Sequence, residues 1–399
     1  MPVILFDSEA RNRLLPLTYA RPVGELRLGL LTVAEKWGRH LASPASCLPE
    51  SYLRDLFPTE VGEDNWFIEG SLVPNVELLS WVTSIPLNSA WRYEGMLLVA
   101  RLDRTHAQAF GEHSNLDGVP VGDAPHLPYT FLRRPADIFR RNAEAIVADF
   151  DLVTAGQSSQ PLSATNTLIG STDSLFVAEE VKLEACILNV EDGPIYVGRG
   201  ATILEGCMLR GPLVVAEGAI VKMGAKIYGG TTIGPNCKVG GEISNVVFQA
   251  NSNKGHDGYL GNAVVGEWCN IGADTNASNL KNDYGNVKVW SYDEERMIDS
   301  ELQFHGLIMG DHSKTGINTM LNTGTVVGFS ANVFGAGFPP TFIPSFTWGI
   351  GATTYRLDKA AETAKRMMLR RGQAFTDQHL TLFKNIFENS GVYRESAGG

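Results

Sequence analysis

Cysteine is scarce in this chain, with five residues in 399 and no Cys-x-x-Cys pair. So odd and sparse a set excludes a disulfide framework and offers no zinc-ligand spacing. Proline is modest too, at 19 residues, and collagen-like or disulfide-scaffold classes fall away with it. Charged residues make up only 19%, with a net charge of −11. A general nucleic-acid binder needs clustered Lys and Arg for the phosphate backbone, so no nucleic-acid partner is expected. Local basic pockets for small phosphorylated ligands are still allowed. No apolar run approaches the ~18 residues of a membrane span. The opening MPVILFD lacks a basic leader region and reads as a first β-strand. The expectation is a cytoplasmic protein with no membrane contact.

What is present is a 44% apolar content, which excludes disorder and supplies material for real cores. At ~100–200 residues per domain, two or three domains are expected. Residues 1–155 read as an α/β domain. Val3 to Phe6 is a buried-strand run, and Trp66 to Ile68 and Met96 to Ala100 are further strands. From Pro135 to Leu152, Ile138, Phe139, Ala143, Ile146, Val147 and Phe150 recur at helical spacing. A small, polar, aperiodic stretch at 156–165 is the predicted linker.

Over residues 166–350 the sequence repeats every six residues. Val197, Ile203, Leu209, Val215, Val221, Ile227, Ile233 and Val239 form one aliphatic column. Two residues earlier run Ile195, Ala201, Cys207, Leu213, Ala219, Ala225, Thr231, Cys237 and Ile243. Such a hexapeptide period is the signature of a parallel β-helix, each coil burying a narrow core against its neighbours. Cys207, Cys237 and Cys269 then read as small core residues. The period continues in shifted register through Ile169, Leu175, Val181 and Ile187 on one side. On the other side it runs through Val265, Ile271 and Ala277, then Met309, Thr315, Leu321, Val327 and Val333. Each slip predicts an inserted loop, near 244–262 and 281–306, where binding chemistry is commonly placed. The second loop is a candidate to close over a neighbouring subunit's site, with Lys288 near a phosphate. Residues 351–399 are predicted as a C-terminal helix, about Leu357 to Glu388, and a tail. Its basic run, Lys365, Arg366, Arg370 and Arg371, reads as a solvated face.

The first slip carries His256, Tyr259, Leu260, Gly261, Asn262 and Ala263, then Asn270, Ile271, Gly272 and Ala273, then Asn279. This spacing resembles the acetyltransferase domain of the bacterial bifunctional N-acetylglucosamine-1-phosphate uridyltransferase/glucosamine-1-phosphate acetyltransferase family, with its H-x-x-Y-[LI]-G-D-A and N-I-G-A-G-T motifs. The resemblance implies a left-handed β-helix, acetyl-CoA as cosubstrate, and a homotrimer with coenzyme A bound between neighbouring helices. It assigns the general base to His256 and substrate contacts to Tyr259, Asn270 and Asn279. Histidine, with an intrinsic pKa near ~6.5, suits proton removal from an amine attacking a thioester. Asn262 stands where the family has aspartate, and Asp274 where it has its second glycine. EISNVVF lacks the family's phosphate-holding lysine, for which Lys254 is the candidate substitute.

Earlier in the chain, RLLPLTYARP resembles the opening of sugar-1-phosphate nucleotidyltransferases, G-x-G-T-R-L-x-P-L-T followed by P-K. Arg13, Pro16, Leu17, Thr18 and Pro22 match. The resemblance implies a Rossmann-like N-terminal domain that binds a nucleotide and a sugar phosphate, with Mg²⁺ where a nucleotidyl group is transferred. The loop here is DSEARN, without glycine, and Val23 replaces the lysine. Arg13, Arg21, Arg27 and Thr18 are the candidate phosphate contacts. The metal ligands stay unassigned, since only Glu69 lies near the family's metal aspartate. Three readings follow. The first is a bifunctional transferase, acylating an amino sugar phosphate on the β-helix. The second is nucleotidyl transfer alone, with the β-helix for trimer assembly. The third is a non-catalytic trimeric scaffold that binds a sugar nucleotide.

Overall fold

The computed structural model describes residues 1–351 and 353–396. Residues 352 and 397–399, part of the predicted C-terminal region, lie outside the described residues. The chain forms two compact units. One comprises Met1–Leu14, Ala20–Leu26 and Leu31–Arg133; the other comprises Leu15–Tyr19, Arg27–Leu30 and residues from 134 onward.

The first unit is built on a six-stranded sheet. Its strands are β1 (Val3–Phe6), β2 (Ala45–Leu48), β3 (Asp64–Glu69), β4 (Ser89–Tyr93), β5 (Met96–Asp103) and β6 (Val121–Asp123). The order is β2-β1-β3-β5-β4-β6. β1 runs parallel to β2 and β3, while β5 is antiparallel to both β3 and β4. The run Val-Ile-Leu-Phe of β1 is buried on both faces, as its unbroken apolar sequence predicts. Helix α1 (Val33–His40) opens with a capping box between Thr32 and Glu35. Its Trp37 Nε1 donates to the carbonyl of Leu72 at 2.8 Å, fixing the chain just past β3. Helices α2 (Val76–Ser84) and α3 (Arg104–His113) follow β3 and β5. The ring of Phe110 on α3 meets Phe6 and Phe67 edge-on at 5.5 and 5.1 Å.

In the second unit the hexapeptide period becomes a parallel β-solenoid. Ile195 pairs with Leu213 and Leu213 with Thr231, while Thr202 pairs with Ile220 and Ile220 with Lys238. Both aliphatic columns point inward and are buried from Ile195 to Ile243. The three interior cysteines behave as core residues, their thiols free and held neutral by burial; Cys237 is pushed up to about 12.

Three expectations need correction. In the first coils Leu168 and Leu188 face the core, while Ile169 and Ile187 are 39% and 43% exposed. Side chains alternate across a strand, so reading the column one residue out of step, in either direction, inverts the face. The slip after Val239 is a shortening of the coil. Ile233 pairs with Phe248 and Val239 with Lys254, and residues 242–248 stay in the sheet. Only the second slip is an insertion, a hairpin of Lys288–Ser291 and Arg296–Asp299 whose Trp290 stacks on Phe342 at 4.1 Å. The C-terminal helix is two helices, α5 (Leu357–Arg370) and α6 (Asp377–Asn389). Gly372 at φ +72° ends the first, and Thr376 begins the second with its N–H bonded to His379 Nδ1 at 3.2 Å. Phe383 of α6 packs on Phe329 and His312 of the solenoid.

The long amphipathic helix, α4, covers Ala136–Thr154. The sequence pattern draws the domain boundary behind it, at residue 155. In the fold its buried face packs within the solenoid unit. Phe139 meets the His305 ring at 5.4 Å, and Asn142 Nδ2 donates to Gly230 O at 2.8 Å and Thr232 Oγ1 at 3.0 Å. The segment Arg27–Leu30 lies in the same layer. Gly29 N–H donates to Asn142 Oδ1 and Leu30 N–H to Asp149 Oδ2, each at 2.8 Å. Gly29 has φ +74°, and a Cβ there would fall 2.5 Å from Asp149 Oδ2.

Candidate functional site

His256 sits on a corner of the solenoid, residues 255–258, between the strands Asn253–Lys254 and Tyr259–Val265. Its side chain is exposed. The corner is held from beneath. Val239 pairs with Lys254, so a lysine occupies a position that the coil before fills with valine. The Lys254 side chain is 1% exposed. Its ammonium donates to the carbonyls of His256 at 2.9 Å and of Gly240 and Asp257 at 3.3 Å. Burial pulls it down to about 8, partly offset by Asp257 and Asp274. Lys254 is therefore committed to the underside of the corner, its ammonium turned to backbone carbonyls and away from solvent. Gly241 permits the close packing, since a Cβ there would lie 2.7 Å from Gly258 O.

Tyr259 follows the corner and is half-buried. Its N–H donates to Asn276 Oδ1 at 2.8 Å. Its hydroxyl bonds Asn279, and burial raises its pKa. The pair meets above Gly261, where a Cβ would strike the Tyr259 hydroxyl at 2.3 Å and Asn279 Nδ2 at 2.7 Å. Asn279 Nδ2 donates to Asn262 Oδ1 at 2.7 Å. Asn262 Nδ2 in turn donates to Asn245 Oδ1 at 3.0 Å, and Asn245 Nδ2 donates to the carbonyl of Phe139 at 2.7 Å. The three amides form a ladder across adjacent coils, ending at Tyr259. An amide both donates and accepts, which a carboxylate at position 262 would not do. Asn245 and Asn262 also adopt φ +55° and +46°, a region asparagine enters more readily than most residues.

Asn270 lies before the following corner, on the neighbouring face, exposed and bridged to Asn253 above and Lys314 below. Asn253 Nδ2 reaches Asn270 Oδ1 at 3.4 Å. The structure thus joins Tyr259 to Asn279, puts His256 on the corner, and leaves Asn270 across it. Arg371, read from sequence as part of a solvated face, donates to Asn236 O at 2.5 Å and Asn253 Oδ1 at 2.8 Å. The ladder members Asn245 and Asn262 went unassigned, although their even spacing with Asn279 was visible. Lys288 is exposed at the start of the hairpin.

The first unit has its own cleft, of roughly 490 Å³, at the ends of β1 and β3. Ser8, Arg13, Ser71, Tyr93, Phe131 and Arg133 line it, with Glu9 and Glu94. Open parallel sheets commonly bind ligands at the carboxyl ends of their strands. Glu69, at the end of β3, ties the two loops together. Its carboxylate accepts from Ser8 Oγ at 2.7 Å, Ser71 Oγ at 2.6 Å and Ser71 N–H at 2.9 Å. Of the four predicted phosphate contacts, Arg13 alone lines this cleft. Arg21 is buried within the same unit. Thr18 is fully buried in the second unit, and Arg27 there donates through its guanidinium to Leu30 O. Arg133 was not anticipated.

Residues 3–158 match the family described as sugar nucleotidyl transferase. The chain is 32% identical over 146 residues to the bifunctional protein GlmU of Methanocaldococcus jannaschii, covering 32% of this chain and 35% of that one. It is 33% identical over 106 residues to GlmU of Methanococcus aeolicus, covering 26% and 25%. With a bifunctional sugar-1-phosphate nucleotidylyltransferase/acetyltransferase of Sulfurisphaera tokodaii it shares 29% over 163 residues, covering 36% and 40%. Over these stretches the chain resembles bifunctional GlmU proteins. It spans about a quarter to two fifths of the length of these relatives. Residues 3–158 thus match a sugar-nucleotidyl-transferase-type domain, and the chain continues into a parallel β-solenoid. No described helix is long and apolar enough to cross a membrane.

Mg²⁺, implied for nucleotidyl transfer, is usually held by one or two carboxylates plus substrate phosphates. The strand-end carboxylates of this chain are poorly suited to that. Both oxygens of Glu69 are occupied by the serines, and the group is buried, which raises its pKa. Asp7 accepts Val23 N–H at 2.8 Å, lies 3.9 Å from Arg11 Nε, and is pushed up to about 7 by burial. Among the described residues no group of three His, Cys, Asp or Glu side chains is placed to hold a metal.

Proposed function

We propose that the solenoid transfers an acetyl group from acetyl-CoA to the amine of an amino sugar phosphate. The observation that carries this reading is an exposed His256 on a clamped corner, next in the chain to the linked Tyr259–Asn279 pair. A scaffold has no use for so costly a support: a buried lysine ammonium committed to two carbonyls of this corner and one of the coil before it.

In this reaction the acceptor's neutral amine attacks the thioester carbonyl. His256 takes the amine proton as the N–C bond forms. The oxygen of the tetrahedral intermediate needs a donor, a role suited to a side-chain amide or a backbone N–H of the corner. The C–S bond then breaks, and the thiolate of coenzyme A receives the proton. Lys254 is a positioning residue here, acting through the corner carbonyls. Tyr259 and Asn279 would orient the sugar, and Asn270, across the corner, the acyl group or its carrier. The reading includes assembly as a homotrimer, with coenzyme A between neighbouring solenoids, in the cytoplasm. Nucleotidyl transfer alone is the weaker reading, because the strand-end carboxylates of the first unit are already engaged.

The test is release of coenzyme A from acetyl-CoA with glucosamine 1-phosphate and a panel of amino sugar phosphates. Wild type and His256→Ala are compared side by side. Release that needs both the sugar and His256 is expected. No release with any acceptor, from folded protein, would sink the mechanism for those acceptors.

A further inference from the structure

The cleft of the first unit combines features suited to a phosphorylated sugar with a donor set unsuited to a metal. Arg13 and Arg133 are both exposed at its rim. The guanidinium of Arg133 lies 5.5 Å over the Phe131 ring. Phe131 is near-parallel to Tyr93, with centroids 6.1 Å apart, and Tyr129 packs on Tyr93 at 4.6 Å. An aromatic wall with an adjacent cation takes the flat face of a base or the apolar face of a sugar ring, beside an anion. Ser8 and Ser71 form the floor, held by Glu69.

A metal-dependent site would place free carboxylates where the phosphates come to rest. Here the two strand-end carboxylates are buried: both oxygens of Glu69 accept from serines, while Asp7 accepts Val23 N–H through Oδ1 and faces Arg11 Nε at 3.9 Å through Oδ2. The two remaining acids of the cleft, Glu9 and Glu94, sit on exposed turns, and Glu94 lies 4.0 Å from Arg133. They act on an anion as repulsive neighbours of the arginines. We infer that this cleft binds a sugar nucleotide or sugar phosphate through its arginines and aromatic wall, without a divalent metal ion. The inference rests on the sugar-phosphate reading of the domain and removes metal-assisted transfer from it. The glycine-free loop DSEARN fits the same picture, since backbone amides need not approach a metal-bound triphosphate closely.

The experiment is calorimetric titration of the full chain with UDP-N-acetylglucosamine, dTDP-glucose and glucosamine 1-phosphate, in excess EDTA and in excess Mg²⁺. At least one should bind with the same Kd in both buffers, within about twofold. Arg13→Ala and Arg133→Ala, both at exposed positions, should each weaken it about tenfold or more. The double variant Glu9→Gln/Glu94→Gln should bind equally or more tightly. Binding seen only with Mg²⁺, or lost in the glutamine variant, would overturn the metal-free inference and leave the sugar-phosphate reading standing. So would Mg²⁺-dependent pyrophosphate release from UTP or dTTP with a sugar 1-phosphate. Full affinity in both arginine variants would remove the ligand from this cleft. No titration by any probe in either buffer would defeat both the inference and the reading beneath it.

Discussion

The ammonium of Lys254 lies 2.9 Å from the carbonyl oxygen of His256, inside the corner on which that histidine stands. The residue proposed to move a proton is exposed, while the one that shapes its loop is buried. Lys254→Met retains the apolar stem and removes the donors. The carbonyls of Gly240, His256 and Asp257 then lose their partner, at a cost of about 1–3 kcal/mol. Acetyl transfer should fall at least tenfold in kcat with a smaller change in acceptor KM, as expected of a positioning residue. His256→Ala should leave the melting temperature unchanged. An unchanged kcat in a folded Lys254→Met protein would separate the corner from the chemistry.

Asn262 bridges Asn279 and Asn245 at φ +46°. Asn262→Ala removes both hydrogen bonds and puts a residue less tolerant than asparagine in the left-handed region, so a loss of about 2–3 kcal/mol is expected in urea unfolding. Asn262→Gly loses the same bonds without the strain, and should be less destabilised by about 1 kcal/mol. Equal losses would show that the backbone conformation carries no cost here.

Gly29 allows Arg27–Leu30 to pass over the helix Ala136–Thr154. A Cβ at this position would meet Asp149 Oδ2 at 2.5 Å and the Ala145 carbonyl at 2.8 Å, at a φ of +74°. Gly29→Ala should therefore destabilise by about 2 kcal/mol or more, read as a drop in urea midpoint at constant slope. A variant as stable as wild type would mean that the segment docks differently.

Burial pushes the Asp7 carboxyl from 3.8 up to about 7. The folded state thus holds a proton that the unfolded state has released over that range. The sign follows from linkage: the contribution is fully present below 3.8 and is lost as pH rises through about 7. Asp7→Asn keeps an oxygen for Val23 N–H and removes the titration. Its stability should fall less than that of wild type between pH 4 and 7, measured by urea unfolding across that window. Parallel curves would place the titration elsewhere.

Much of the second unit was legible because a solenoid repeats one local rule. Each inward position sees the same neighbour one coil away, so periodicity alone marked the core from Ile195 to Ile243. The buried run of β1 and the spacing of the long helix were legible for the same reason: burial pattern is written in short-range order. His256, Tyr259, Asn270 and Asn279 were recognisable as a motif, because corner residues keep fixed places in the coil.

Other features depended on contacts between distant residues. Ile169 and Ile187 were placed inward and point outward, because the face of a strand is set by its pairing partner. Lys254 was read as a phosphate ligand; only the shortened coil, pairing it with Val239, turns it into the interior. Arg27 and Thr18 looked like companions of Arg13, yet they fold into a different unit. The sequence by itself determined the solenoid, its inward columns and the residue types at the corner. Tertiary structure decided which polar groups meet, because a buried amide or ammonium takes its role from the partner that satisfies it.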